Sequence, residues 1–246
     1  MFLMLPHAYA FGSNGNYWST GAGAGLFWVL GGLAILGPMA SSASVGAALV
    51  PLALAGQLVT VALIHTGMAA PYRQPEPLWK NDYASEFGLP GQKLMLSRGF
   101  GRYLDEAVGT ATAAGFKKNT PVVDLTGQSP GILYSMGANN IGQAWIIGGY
   151  PGSDALAEAS LKRVPCTELS QAWLLLEEDG PREISTDVLH AYGANLSTDF
   201  ELLGSFQTAE GMGGYETPPR LQKLFKSIRS FEAATTACTA KKTTGS

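Results

Sequence analysis

The chain has 246 residues, 16 Lys or Arg against 19 Asp or Glu, a formal net charge of −3 and two cysteines. That length holds one or two domains. The near-neutral balance excludes the broad basic face that nucleic-acid binding requires. The charges are unevenly placed: the first Asp, Glu, Lys or Arg is Arg73, so the first 72 residues are suited to a solvent other than water.

From the N-terminus, residues 1–20 (MFLMLPHAYAFGSNGNYWST) carry Asn14, Asn16, Tyr17 and Trp18 ahead of an apolar run. Tyr and Trp at that position fit an interfacial aromatic belt. The segment reads as a membrane-proximal loop between two membrane helices, so the chain is expected to be the C-terminal part of a longer polytopic protein. Ala8-Tyr9-Ala10 resembles a signal-peptidase site, but no basic residue precedes it and the segment before it is short. Two apolar runs follow, at 22–40 and 45–68, joined by Ser41-Ser42-Ala43-Ser44. Each approaches the ~20 residues that span a bilayer as a helix. A soluble pair of core helices would need charge on an outer face, so the reading is a transmembrane hairpin in a bacterial inner membrane, in contact with membrane lipid. The uncharged hairpin turn gives the positive-inside rule nothing to count. Cys166 and Cys238 both lie in the polar part; they read equally as a disulfide or as two thiols, and the domain is placed on the extracytoplasmic (periplasmic) side.

Residues 71–90 contain Pro71, Pro75, Pro77 and Pro90 and read as a linker, because proline breaks both helix and ladder. Helix and strand then alternate. A helix is expected at 98–116, stopped by Gly115. A strand at 121–125 precedes a short helix at 130–136, closed by Gly137. A strand at 143–147 precedes a helix at 153–163, with Ser153 as N-cap and Lys162-Arg163 in its last turn. A strand at 172–177, a helix at 186–192 and a strand at 200–206 complete the series. Strict alternation implies crossovers and a mostly parallel sheet. The expected architecture is therefore a membrane hairpin followed by a small three-layer α/β domain, residues 91–210, with about four strands. The remainder, 211–246, reads as a flexible tail. Within it, 220–229 (RLQKLFKSIR) has Leu221, Leu224, Phe225 and Ile228 at helical spacing and reads as an amphipathic helix. Residues 235–246 read as disordered.

Two strand-to-helix junctions hold the chemistry. The first is Asp124-Leu125-Thr126-Gly127-Gln128-Ser129-Pro130-Gly131; the second is Gly148-Gly149-Tyr150-Pro151-Gly152-Ser153-Asp154. In a parallel sheet both fall at the carboxyl ends of strands, where open α/β sheets place ligands. Glycine permits close backbone approach, and helix N-termini offer free N–H groups. Asp124, Thr126, Gly127, Gln128, Ser129, Gly149, Tyr150 and Ser153 form the candidate ligand edge. Capping alone explains Ser129 before Pro130, and Ser153. It does not explain Asp124, a carboxylate ending a buried strand, which either clamps the loop by accepting the Thr126 or Gly127 N–H or faces a ligand beside Gln128 and Tyr150.

No catalytic set is legible. His7, His65 and His190 are the only histidines and none lies on these loops. The GxGxxG, P-loop and GxSxG patterns are missing, as is any metal-ligand spacing. No cofactor and no metal are expected.

The stretch LPHAYAFGSNGNYW ahead of a charge-free helical pair, followed by DLTGQSPG and IGGYPGS, resembles the C-terminal region of large bacterial polytopic membrane proteins of the GT-C glycosyltransferase type. The resemblance covers the whole chain as a C-terminal fragment. It implies transfer of sugars from polyprenyl-phosphate carriers on the outer face, a multi-helix membrane domain upstream, and a catalytic acidic residue in an early external loop. Residues 1–72 contain no Asp or Glu, so that residue has no counterpart here and the chain alone is expected to be inactive. Asn14, Asn16 and Tyr17 would then lie near the carrier site, and the α/β domain would bind or position a glycan or lipid-phosphate. The competing expectation is a non-enzymatic, membrane-anchored binding or assembly module.

Overall fold

The computed structural model describes residues 1–12, 17–39, 43–71, 74, 76–87, 91–143, 145–212 and 217–244. The chain divides into two units, Met1–Pro71 and Tyr72–Ser246. Asn14, Asn16 and the expected hairpin turn at Ser41-Ser42 lie outside the described residues.

The described residues of the first unit are mostly helical: α1 (Leu5–Gly12), α2 (Tyr17–Gly23), α3 (Leu26–Leu36) and α4 (Ala43–Ala69). The apolar run at 22–40 is not one continuous span. It is interrupted at Ala24-Gly25, where Gly21, Gly23 and Gly25 crowd together, and each glycine costs about 1 kcal/mol of helix stability. α3 alone, at 11 residues, reaches only about 16 Å at 1.5 Å per residue. In α4 the segment Leu49–Ala69 is long and apolar enough to cross a membrane. Small residues bring α3 and α4 together: a Cβ on Gly56 would lie 3.0 Å from Val29 Cγ1, and one on Gly32 3.3 Å from Leu52 Cδ2. The hydroxyls of Thr60 and Thr66 donate to the carbonyls of Gly56 and Ala62, one turn back, so α4 carries them without external partners. Tyr17 begins α2, and its hydroxyl meets His7 Nδ1 at 2.8 Å.

The second unit is α/β, built on a mixed sheet. The order is β4 (Asn139–Asn140), β3 (Pro121–Asp124), β5 (Trp173–Leu176), β7 (Leu221–Ser227), β6 (Phe200–Gln207). β3 is parallel to β4 and β5, whereas β7 is antiparallel to both β5 and β6. The sheet is mixed rather than mostly parallel because β7, inserted between β5 and β6, is antiparallel to both. Among the described residues no crossover helix separates β6 from β7, so the chain returns antiparallel. Alternate side chains of the central strands feed two cores. Val123, Leu174 and Leu176 pack with α7 (Ser153–Arg163), the 3-10 helix Thr186–Tyr192 and Cys238. Val122, Trp173, Leu175 and Leu224 pack with α5 (Arg98–Ala113) and α6 (Pro130–Ser135). The three layers follow from this period of two.

Three further expectations are corrected. Residues 220–229 are not an amphipathic helix; they contain β7, in which Gln222 and Leu224 are buried and Leu221 is exposed. The described residues of the expected flexible tail include β7 and a helix, α10 (Phe231–Thr244), the next after α9 (Leu196–Asp199). The described residues of 143–147 join no ladder, and the edge strand beside β3 is the two-residue β4. Part of the proline-rich linker also folds. β1 (Tyr83–Glu86) pairs with β2 (Lys93–Leu96), and Gly101 of α5 leaves room for Tyr83, whose Cδ1 would stand 2.2 Å from an added Cβ.

Cys166 of α8 (Cys166–Leu169) and Cys238 of α10 form a disulfide across 72 residues. Of the two readings of the cysteines, the bonded one holds. Closing a loop of that length is worth roughly 4 kcal/mol by the chain-entropy model. Cys166→Ser/Cys238→Ser is expected to lower the thermal midpoint of the purified chain by several degrees, and dithiothreitol is expected to lower wild type but leave the variant unchanged.

Candidate functional site: a buried carboxylate behind a polar cleft

β3 and β5 run parallel, and each ends on an acid: Asp124 closes β3 and Glu177 follows Leu176 of β5. Both are buried, Glu177 completely. A buried carboxylate is costly unless hydrogen-bonded on both oxygens, and Glu177 is. Its Oε1 accepts from Gln128 Nε2 at 2.9 Å and from Arg220 at 3.2 Å; its Oε2 accepts from Gln222 Nε2 at 2.8 Å. The second Gln222 N–H donates to Ser129 Oγ at 2.9 Å, and Gln222 Oε1 accepts from the Tyr103 hydroxyl at 2.8 Å. The Gln222 amide thus uses both donors and its acceptor. Burial, reinforced by the Glu177 charge, pushes the Tyr103 phenol well above its ordinary range, so it stays a neutral donor.

Asp124 is the clamp of its own loop. Oδ1 accepts from the Thr126 N–H at 2.9 Å and from the Thr126 hydroxyl at 2.7 Å. Thr126 Oγ1 accepts in turn from the Gln128 N–H at 3.2 Å. Desolvation raises the Asp124 carboxyl above its usual value; the bonds from Thr126 and from the Ser129 backbone oppose the shift, and the Glu177 charge adds to it.

The glycines of both junctions serve loop-to-loop packing. Gly127 has φ +69, and a Cβ there would lie 1.7 Å from the Arg182 carbonyl oxygen. Gly148 and Gly149 press on the same turn: added Cβ atoms would stand 2.1 Å from the Arg182 oxygen and 2.6 Å from the Pro181 oxygen respectively. Ser153 is not the cap of α7. Gly152 holds that position, while Ser153 Oγ donates to the Ile147 carbonyl and accepts the Tyr150 N–H. Ser129 does precede Pro130 at the start of α6, but its side chain makes no cap bond; it is engaged by Gln222. Tyr150 is half-exposed under the Arg182 guanidinium, 4.5 Å from the ring centre.

A cleft of about 250 Å³ opens on the network, lined by Phe100, Tyr103, Gln128, Ser129, Ile132 and Met212, among others. Of the eight residues expected at a ligand edge, Gln128 and Ser129 line it. Asp124, Thr126 and Gly127 shape the loop behind it. Gly149, Tyr150 and Ser153 belong to the second junction and do not line it. Sequence reasoning missed Glu177, Gln222, Tyr103 and Arg220. One signal was present: Glu177 ends the apolar run WLLLE just as Asp124 ends PVVD. The cleft's mixture of amide, hydroxyl and aromatic groups can bind a small polar ligand with one apolar face. The carboxylates behind it disfavour an anion. Among the described residues no group of His, Cys, Asp and Glu is arranged to hold a metal ion. No family model, curated protein or solved structure matches this chain.

Two outcomes follow. Glu177→Leu leaves Arg220, Gln128 and Gln222 without their acceptor and is expected to destabilise the chain by roughly 3–5 kcal/mol in chemical denaturation. For Asp124 the folded pKa lies above the unfolded one. The folded state therefore holds the extra proton, and stability falls as pH rises from the ordinary carboxyl value of 3.8 through the raised folded value. Asp124→Asn keeps the acceptor for Thr126 and removes this titration. The stability difference, variant minus wild type, should grow with pH over that window and then level off.

Proposed function

We propose that the chain is the C-terminal part of a membrane glycosyltransferase-like protein, whose α/β domain binds and positions a glycan in the cleft beside Gln128 and Ser129. The observation that carries the reading is the cleft itself: its lining combines neutral hydrogen-bonding groups with the apolar side chains of Phe100, Ile132 and Met212. A sugar presents the same pair of surfaces, hydroxyls at its edge and an apolar C–H face. Lipid-phosphate is the poorer fit, because Glu177 stands directly behind Gln128.

The membrane part of the reading rests on the charge-free first 72 residues and on Leu49–Ala69. In a bilayer, α2 and α3 together would supply a first crossing and α4 the second, restoring the hairpin with the Gly32 and Gly56 contacts at its seam. The Cys166–Cys238 bond supports an extracytoplasmic domain, since disulfides persist in oxidising compartments. With no acid in residues 1–72, a catalytic carboxylate would come from upstream, and this domain would supply substrate positioning.

One observation favours the second reading, a non-enzymatic membrane-anchored assembly module. Both buried acids are spent on internal hydrogen bonds, leaving neither as an evident acid or base.

The purified chain in neutral detergent should bind neutral oligosaccharides, with shifts in its NMR spectrum confined to the cleft. Gln128→Ala should weaken that binding about tenfold, equivalent to about 1.4 kcal/mol, with the fold intact by circular dichroism. Unchanged glycan binding in a folded variant removes the site; a stable protein partner captured from membranes without sugar dependence favours the assembly module.

A further inference from the structure

The edge of the sheet opposite the cleft carries a second concavity, of about 440 Å³. It is bounded by the starts of β3 and β5 at Pro121 and Trp173 and by the end of the antiparallel β7 at Ser227. Three cations line it, Lys118, Lys226 and Arg229, and no carboxylate does. In a chain of net charge −3, such a lining is not what composition alone would produce.

Nearby acids offset only part of this charge. Arg229 lies 3.5 Å from Asp199 and donates to the Gly193 carbonyl; Asp199 also accepts the Asn195 N–H. Glu201 stands opposite Lys226 in the β6–β7 register, yet the two form no ion pair among the described residues. Lys226 instead sits 5.8 Å from the centre of the Trp173 ring. Lys118 likewise has no ion-pair partner among the described residues. Glu232 lies in the first turn of α10, outside the lining. Neutral donors complete the wall: Asn119, held at φ +66, with Thr120, Gln171 and Ser227.

We propose that this pocket is a binding site for a phosphate-bearing ligand. Two ammonium point charges and a guanidinium, backed by amide and hydroxyl donors, match an oxyanion of charge near −2 better than a monovalent carboxylate. The site does not depend on the glycan reading, because it occupies the other edge of the sheet and shares no lining residue with that cleft. The phosphate comes either from a soluble phosphomonoester or from a lipid headgroup.

The test uses the full chain in neutral detergent at low salt, because screening weakens exposed charges. Inorganic phosphate is titrated by calorimetry; in a parallel arm, phosphatidate is added to the micelles and binding is followed by Trp fluorescence. Saturable binding in either arm is expected, at least tenfold weaker in Lys118→Ala/Lys226→Ala and unchanged in Lys162→Ala, an exposed lysine on α7. Saturation by free phosphate assigns a soluble ligand; saturation by phosphatidate alone assigns a headgroup. Lack of saturation in both arms overturns the proposal, as does equal binding by the double variant, or equal loss in Lys162→Ala. Should the double variant fail to fold, Lys118→Gln alone, on a loop outside the ladders, is expected to weaken binding at least threefold, and unchanged affinity in it would also overturn the proposal.

Discussion

A carboxylate with no access to water organises the second unit. Glu177 stands at the end of the central strand β5, and its two oxygens are reached from three different parts of the chain: the loop after β3, the approach to β7, and β7 itself. The ion is tolerable there only because Arg220 supplies charge and two amides supply directed donors. Each partner is thereby fixed in place. Gln222 must lie in β7 at a buried register position, which sets that strand beside β5. Gln128 must turn inward, which fixes the loop that Asp124 clamps. Ser129 and Tyr103 are held through Gln222. The cleft is the outer surface of this arrangement, so its shape depends on polar bonds as much as on apolar packing.

The two edges of the sheet differ in charge for a structural reason. At the carboxyl ends of β3 and β5, acids are buried and hydrogen-bonded internally, leaving amides and hydroxyls to face the cleft. At the opposite edge, the lysines extend from a loop and from the end of β7 without carboxylate partners among the described residues. The disulfide holds α10 against α8, and α10 begins directly after the segment carrying Arg229. The C-terminal 36 residues, which resemble a tail by composition, thus complete both edges.

The parts of this fold that were legible are those where local and tertiary preferences agree. α5, α7, β3 and β5 follow helical or strand patterns that their burial respects. The failures have specific causes. RLQKLFKSIR carries helical spacing, but β7 is inserted between β5 and β6, and a buried Gln at 222 satisfies Glu177; that requirement is tertiary and leaves no local mark. QAWII looks like a strand, yet its described residues join no ladder, and the Trp145 indole N–H donates to the Gly127 carbonyl instead. Ser129 and Ser153 each resemble caps; Ser129 instead links to Gln222 across the chain, and Ser153 ties its own loop through Ile147 and Tyr150. Asp124 was legible because it interrupts an apolar run. Glu177 interrupts one in the same way, and the parallel between the two was the available route to the network.

The central claim is that Glu177 and Gln222 act as one unit. A double-mutant cycle of Glu177→Leu and Gln222→Leu, measured by chemical denaturation, tests it most directly. Each single substitution leaves one buried polar atom of its partner without its bond, Oε2 of Glu177 or one amide N–H of Gln222, whereas the double substitution removes both ends of that bond. Coupling of the two residues predicts a double variant less destabilised than the sum of the singles by at least about 1 kcal/mol. Additivity within about 0.5 kcal/mol would contradict it.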